Sequence, residues 1–384
     1  MTDAFLLEAP REDAPGIIDD LLKRALLAGS SDVHLLPQEQ GLLVRIRVDG
    51  VLHDLDEIKE GASLKAISRV KVLAGLDVAD HQKAQDGRFS FDDVDVRVAV
   101  LPTVSGEGLV LRLLRTDSKP PSLTALGLSN AMQMDLERVI ARPNGLLLVS
   151  GPTGAGKSTT LYAALVDMNR PEVSTVTVED PVEYRLPRAF QIQVSEKRGL
   201  TFPTALRTIL RSDPDIVMVG EIRDAVTAKL AIDAALSGHF VLSTLHSDDT
   251  IRTLTRLEEM GIARYLITTA VSAVLAQRLV RRLCPHCREA YEPAAAERAQ
   301  LAYEGSLLYR AHGCDECTRG YRGRIGIFEL LRMSEEVALA VSREENSEAV
   351  AAAGAASGTE SLWVDGLRKV EAGLTTISEL RRVM

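Results

Sequence analysis

The stretch Gly151-Pro-Thr-Gly-Ala-Gly-Lys157-Ser158 sets three glycines ahead of a lysine and a hydroxyl side chain, directly after the apolar run Leu146-Leu-Leu-Val149. That is the strand, glycine loop and helix order of a phosphate-binding loop. Glycine at 151, 154 and 156 lets successive N–H groups turn inward around phosphate oxygens, and the helix opening near Lys157 adds the positive end of its dipole. Pro152, Thr153, Ala155 and Thr159 complete the loop. Lys157 is placed for the β and γ phosphates, and the Ser158 hydroxyl for Mg²⁺. A glycine-rich connector between strand and helix is the bland alternative, weakened by the helical pattern Thr159-Thr-Leu-Tyr-Ala-Ala-Leu165. The loop points to a nucleoside triphosphate.

Carboxylates close two further strands. The apolar run 216–219 leads into Gly220-Glu221, where phosphate-loop enzymes keep the acid that orients Mg²⁺ or polarises water. Glu221 is therefore the candidate general base. Asp213 and Asp215 precede that strand, as metal helpers or as turn and capping residues. The run 174–178 ends in Glu179-Asp180-Pro-Val-Glu-Tyr184. Ligands of open parallel sheets gather at the carboxyl ends of strands, so Glu179 is a candidate to place water or metal, against the alternative of a solvated loop carboxylate. His239 and His246 bracket the run 240–244; His246 follows its carboxyl end, where it would sense a γ-phosphate, and His239 lies at the other end.

Four cysteines form two knuckles, Cys284-Pro-His-Cys287 and Cys314-Asp-Glu-Cys317. Two C-x2-C pairs supply the four thiolates of a closed structural Zn²⁺ site, with redox pairing as the competing idea. His286 and His312 are nearby substitutes.

These residues need a scaffold. The 384-residue length suggests two or three domains. Helical periodicity covers residues 16–28 and ends at Gly29. Strands are expected at 42–48 and 51–55 around the turn Asp49-Gly50, a helix at 64–73, and strands at 87–91, 94–100 and 109–114. Arg88, Arg97 and Arg112 fall on these strands or at their ends, and by spacing alone they read as a solvated face. Two prolines in Asp117-Ser-Lys-Pro-Pro-Ser-Leu123 mark a linker. Strands at 146–150, 174–178, 216–219 and 240–244, separated by helical stretches, then predict a parallel sheet covered on both faces. Ala349 to Ala356 reads as a helix end or a flexible loop.

Composition narrows the class. A net charge of −9 and 4% aromatic residues argue against a nucleic-acid partner. No secretory signal and no membrane-spanning run is visible, so a cytoplasmic protein with peripheral membrane association is expected.

Together these segments resemble the assembly ATPases of bacterial type II secretion systems and type IV pili. The resemblance rests on Ser31-Asp-Val-His34, Arg45-Ile-Arg-Val-Asp-Gly50, Gln85-Asp-Gly-Arg88, Leu101-Pro-Thr103, the phosphate loop, the segments around Glu179, Glu221 and His246, both cysteine knuckles, Gly320-Tyr-Arg-Gly-Arg-Ile-Gly326 and Asp365-Gly-Leu-Arg-Lys-Val370. It implies an α/β fold: a small PAS-like α/β domain over 1–117, a linker at 118–127, and a RecA-like ATPase domain over 128–384 with a zinc-binding segment at 284–317. It also implies that Arg97 and Arg112 contact phosphates, displacing the solvated-face reading for these two. Glu179, Glu221 and His246 then belong to the aspartate box, an atypical Walker B strand and a histidine box.

The implied activity is hydrolysis of ATP, with Mg²⁺ and a structural Zn²⁺, by a homo-hexamer. The motor would act on an inner-membrane platform protein that adds or extracts pilin subunits. The cysteine knuckles favour assembly over a retraction motor, and a non-hydrolysing nucleotide-binding scaffold is the alternative of another class. Two departures are expected to matter. Gly108 stands where relatives often carry Arg, and the chain opens almost at once with the arginine-donating domain, lacking the extra N-terminal docking domain of many secretion ATPases.

Overall fold

A computed structural model describes residues 14–115, 119–295, 298, 305 and 307–384. Asp117 and Ser118 of the expected linker, and part of the segment between the cysteine knuckles, lie outside them. The chain divides into two compact units, Met1–Ser118 and Lys119–Met384.

In the first unit, α1 (Ala14–Leu27) precedes β1 (Ser30–Gln38), β2 (Gly41–Val48) and β3 (Val51–Lys59); α2 (Glu60–Leu73) leads to β4 (Gln85–Phe91), β5 (Val94–Thr103) and β6 (Gly106–Arg115). The sheet runs β3-β2-β1-β6-β5-β4, every pairing antiparallel. β2 and β5 alternate buried and half-buried positions, as strands with one covered face do. That face, with Val44, Val96, Val98 and Leu111, packs with Ile18 and Leu22 of α1 and Val70 of α2 into one apolar core. β1 is a strand the alternation did not announce, because its polar Ser30, Asp32 and His34 interrupt the pattern.

The second unit carries a seven-stranded sheet in the order β15-β12-β7-β11-β10-β8-β9. Its strands are β7 (Gly145–Ser150), β8 (Thr175–Glu179), β9 (Ala189–Gln193), β10 (Ile216–Val219), β11 (Phe240–Leu245), β12 (Val271–Leu283) and, after the small β13 (Glu289–Tyr291) and β14 (Leu308–Arg310) pair, β15 (Tyr321–Arg332). All pairings in the large sheet are parallel except β12 with β15. The expected parallel sheet is thus present but extended by an antiparallel β15 at one edge. Its helices include α3 (Asn130–Ile140), α4 (Lys157–Met168), α5 (Phe202–Ile209), α6 (Ala225–Leu236), α7 (Thr250–Glu259) and α8 (Arg264–Ala270). β7, β8, β10 and β11 are buried along their whole lengths, which explains their unbroken apolar runs. The alanine-rich stretch is a helix, Ser347–Ala356, capped by the Asn346 side chain.

Candidate nucleotide site

The parallel register brings the predicted groups to one edge. Val219 of β10 pairs with Ser243 of β11 and Val178 of β8, and Leu245 of β11 pairs with Ser150 of β7. The phosphate loop, Glu221, His246 and Glu179 therefore all sit at or just beyond the carboxyl ends of adjacent strands. Asp213 and Asp215 lie at the opposite end of β10. There Asp215 Oδ2 accepts from the Ser174 N–H at 2.7 Å and Asp213 takes a left-handed φ of 52°, so both serve the turn. His239 is likewise occupied locally, its Nδ1 lying 3.0 Å from the Ala234 carbonyl oxygen.

Gly151, Gly154 and Gly156 adopt φ of 149°, 78° and 86°. At two of them space is as limiting as conformation. A Cβ on Gly151 would come within 2.4 Å of the Gln277 carbonyl oxygen, and one on Gly156 within 2.9 Å of Gln277 Nε2. β12 thus passes directly beside the loop. Lys157 folds back onto it, donating to the carbonyl oxygens of Gly151 at 2.7 Å and Pro152 at 3.0 Å. Burial lowers the Lys157 pKa to about 8, the Glu221 charge opposing the shift and the Arg278 charge adding to it.

Glu221 Oε1 accepts from Arg223 Nη2 at 2.5 Å, and its Oε2 lies 3.5 Å from His246 Nε2. Arg223 holds the carboxylate, His246 stands beside it, and its charge reaches Lys157. Glu179 is placed differently. It is 3% exposed, and its oxygens accept from the Tyr162 hydroxyl, from Thr177 Oγ1 at 2.6 Å and from Gln191 Nε2 at 3.4 Å. Burial raises its pKa against these hydrogen bonds. The solvated-loop alternative fails here, since Glu179 anchors α4 from inside through Tyr162.

Sequence reasoning missed Tyr162, Gln277 and Arg278. Gln277 Oε1 accepts from Thr160 Oγ1 of α4 at 2.7 Å. Arg278, 8% exposed, donates to the Gln277 carbonyl at 3.2 Å and to the Asp248 carbonyl at 2.8 Å. Polar residues inside an otherwise buried run were the available signal.

In the first unit, Arg88, Arg97 and Arg112 stand opposite one another across β4, β5 and β6, and the row continues through Asp32 of β1 to Arg47 of β2. Directly paired residues share a face, so four guanidinium groups and one carboxylate line one side of the sheet. Arg112 Nε donates to Asp32 Oδ1 at 3.0 Å. At Gly108 a Cβ would approach Pro37 Cδ to 3.3 Å, a local reason for glycine. Its neighbour Glu107 is buried, accepting from Lys71 Nζ and meeting His81 Nδ1, both at 2.6 Å.

The sulfur atoms of Cys284, Cys287, Cys314 and Cys317 lie within 4.8 Å of one another. The separations for Cys284–Cys314 and Cys287–Cys317 are 3.8 and 3.6 Å. A tetrahedron with Zn–S bonds of about 2.3 Å has sulfur–sulfur edges of about 3.8 Å, so the four thiols fit zinc. The Gly313 and Cys314 N–H groups point at Cys287 and Cys317 sulfur at 3.3 Å, the outer-shell donors a thiolate site uses. His286 and His312 pair instead with Glu316 and Glu289.

Comparison with known proteins places this geometry. Residues 11–382 match the family model described as Type II/IV secretion system protein. The chain is 45% identical over 382 residues to "Type II secretion system protein E" of Pseudomonas aeruginosa, covering 97% of this chain and 76% of that protein. It is 40% identical over 384 residues to "Type IV pilus assembly ATPase PilB" of Thermus thermophilus, covering 97% of this chain and 43% of that one. Among solved structures, the ATPase DotB of Legionella pneumophila superposes with a TM-score of 0.72 at 21% identity, over 99% of this chain and 98% of that one, and shares its fold.

Proposed function

The chain belongs to the Type II/IV secretion system protein family, and from that premise we propose a homo-hexameric motor that hydrolyses ATP to drive pseudopilus or type IV pilus assembly. The chain is an ATPase; the ring, the coupled work and the residue roles are our reading. Its carrying observation is the convergence of Lys157, Glu221 and His246 at one edge of the sheet.

In this reading the 151–159 loop cradles the phosphates, and Lys157 leaves the Gly151 and Pro152 carbonyls to meet them. Glu221 accepts the proton of the attacking water, with His246 and Arg223 fixing its carboxylate. Mg²⁺, when bound beside Ser158, would neutralise charge on the phosphates. Glu179 holds α4 through Tyr162, a structural role we propose in place of the water-positioning one. Arg97 and Arg112 are the first unit's candidate phosphate ligands, with Asp32 orienting Arg112. The four thiolates would hold Zn²⁺ as a clip between the end of β12 and the start of β15.

The motor would work in the cytoplasm, peripheral to the inner membrane, on a platform protein. Among the described residues no helix is long and apolar enough to cross a membrane. The test is genetic: in a strain deleted for this chain, wild type should restore secretion or piliation while Lys157→Ala should not. Restoration by Lys157→Ala would overturn the reading.

A further inference from the structure

Arg278 is a buried cation of the second unit that the nucleotide reading leaves without a task. β12 pairs with β7 as far as Ala276 opposite Ser150, the last residue before the loop. Gln277 and Arg278 are thus the first residues of β12 to run past the end of β7, still paired with Phe328 and Ile327 of β15, and successive side chains of a strand point to opposite faces. Gln277 takes one face, bonding Thr160 on α4 at 2.7 Å. Arg278 takes the other.

There its guanidinium touches two segments of the candidate nucleotide site. Nη1 lies 3.5 Å from where a Gly151 Cβ would stand, so it is packed against the first residue of the phosphate loop. Nη2 donates to the Asp248 carbonyl oxygen at 2.8 Å and approaches its carboxylate at 3.4 Å. Asp248 lies two residues beyond His246, and the next residue, Asp249, caps α7 by accepting from the Arg252 N–H at 2.7 Å. A buried guanidinium is costly to desolvate unless it is paired. Asp248, Asp249 and Glu329 supply the compensating negative charge. A planar fork with fixed donor directions also transmits position better than a flexible ammonium.

We propose that Arg278 is a positioning residue that couples the phosphate loop to the His246–Asp249 segment, so that His246 meets Glu221 correctly only while this guanidinium bridges the two. The inference rests on the ATPase reading above. It makes Arg278 act through His246, without contact to the reacting atoms. Residues that work as one unit give non-additive losses when removed together.

The experiment measures steady-state ATP hydrolysis, binding of a fluorescent non-hydrolysable ATP analogue, and melting midpoint for wild type, Arg278→Gln, Arg278→Lys, His246→Ala and the Arg278→Gln/His246→Ala double variant. Arg278→Gln should lower kcat by about 10²-fold, the loss that a misplacement of about 1 Å produces, with analogue affinity within about threefold of wild type. Arg278→Lys should recover part of the rate. The double variant should be no slower than the slower single one. Additive losses in the double variant, or a fall in affinity matching the fall in kcat/KM, would overturn the proposal. Should Arg278→Gln fail to fold, Arg278→Lys with and without His246→Ala carries the same cycle. Wild type turning over no faster than Glu221→Gln is a separate outcome, which defeats the ATPase reading itself.

Discussion

The Lys157 ammonium donates a 2.7 Å hydrogen bond to the Gly151 carbonyl oxygen of its own loop. The lysine that should meet phosphate is held by the loop that carries it. Its pKa is lowered to about 8, first by burial. The unfolded chain, with lysine near 10.5, therefore binds more protons between about pH 8 and 10.5, and stability contributed by this group rises with pH through that window. A triphosphate arriving at Lys157 reverses the shift, because an adjacent anion favours the charged amine. Binding of an ATP analogue near pH 8 should then take up about half a proton, since the free group is half protonated at its own pKa. Calorimetry in two buffers of different ionisation heat reads this directly, and zero uptake between pH 8 and 9 contradicts the assignment.

Glu179 predicts a stability effect rather than a catalytic one. Tyr162→Phe removes a donor from a buried carboxyl and should cost about 1–3 kcal/mol in urea unfolding. The folded-state pKa of Glu179 is raised by burial from 4.5, so its contribution is full below the ordinary glutamate range and is lost as pH rises through the folded value. The melting midpoint of Glu179→Gln should accordingly gain on wild type as pH climbs above about 4.5. A difference that does not change with pH would remove Glu179 from the buried network.

How much of this was legible depends on what kind of signal each residue leaves. The phosphate loop, Glu221 and His246 could be read because local motif and strand order coincide. β12 could not: residues 271–283 are almost wholly buried and mix three Val with three Leu and three Arg, so they show no strand alternation and the three arginines break the apolar run. Gln277 and Arg278 were hidden with it. The arginines of the first unit were visible singly, but their alignment with Asp32 depends on β1 inserting beside β6, a pairing 80 residues apart in the chain. The carboxyl end of β8 was correctly located, yet burial by Tyr162 and Gln191 is a tertiary fact that no spacing encodes.

The four thiols predict about one zinc per chain by elemental analysis, the stoichiometry of one closed four-cysteine site. Cys284→Ser with Cys314→Ser should abolish it and lower the melting midpoint, because two of the four sulfurs that would tie the end of β12 to the segment before β15 are lost. A wild type that is metal-free and equally stable defeats the zinc assignment.

The central claim is that Glu221, held 3.5 Å from His246 and charged toward Lys157, serves hydrolysis. Phosphate release from ATP by purified wild type and Glu221→Gln tests it most directly. The account predicts a rate lower by about 10²–10⁴-fold in the variant, the usual contribution of a general base, with ATP still bound. Equal rates in the two proteins would contradict it.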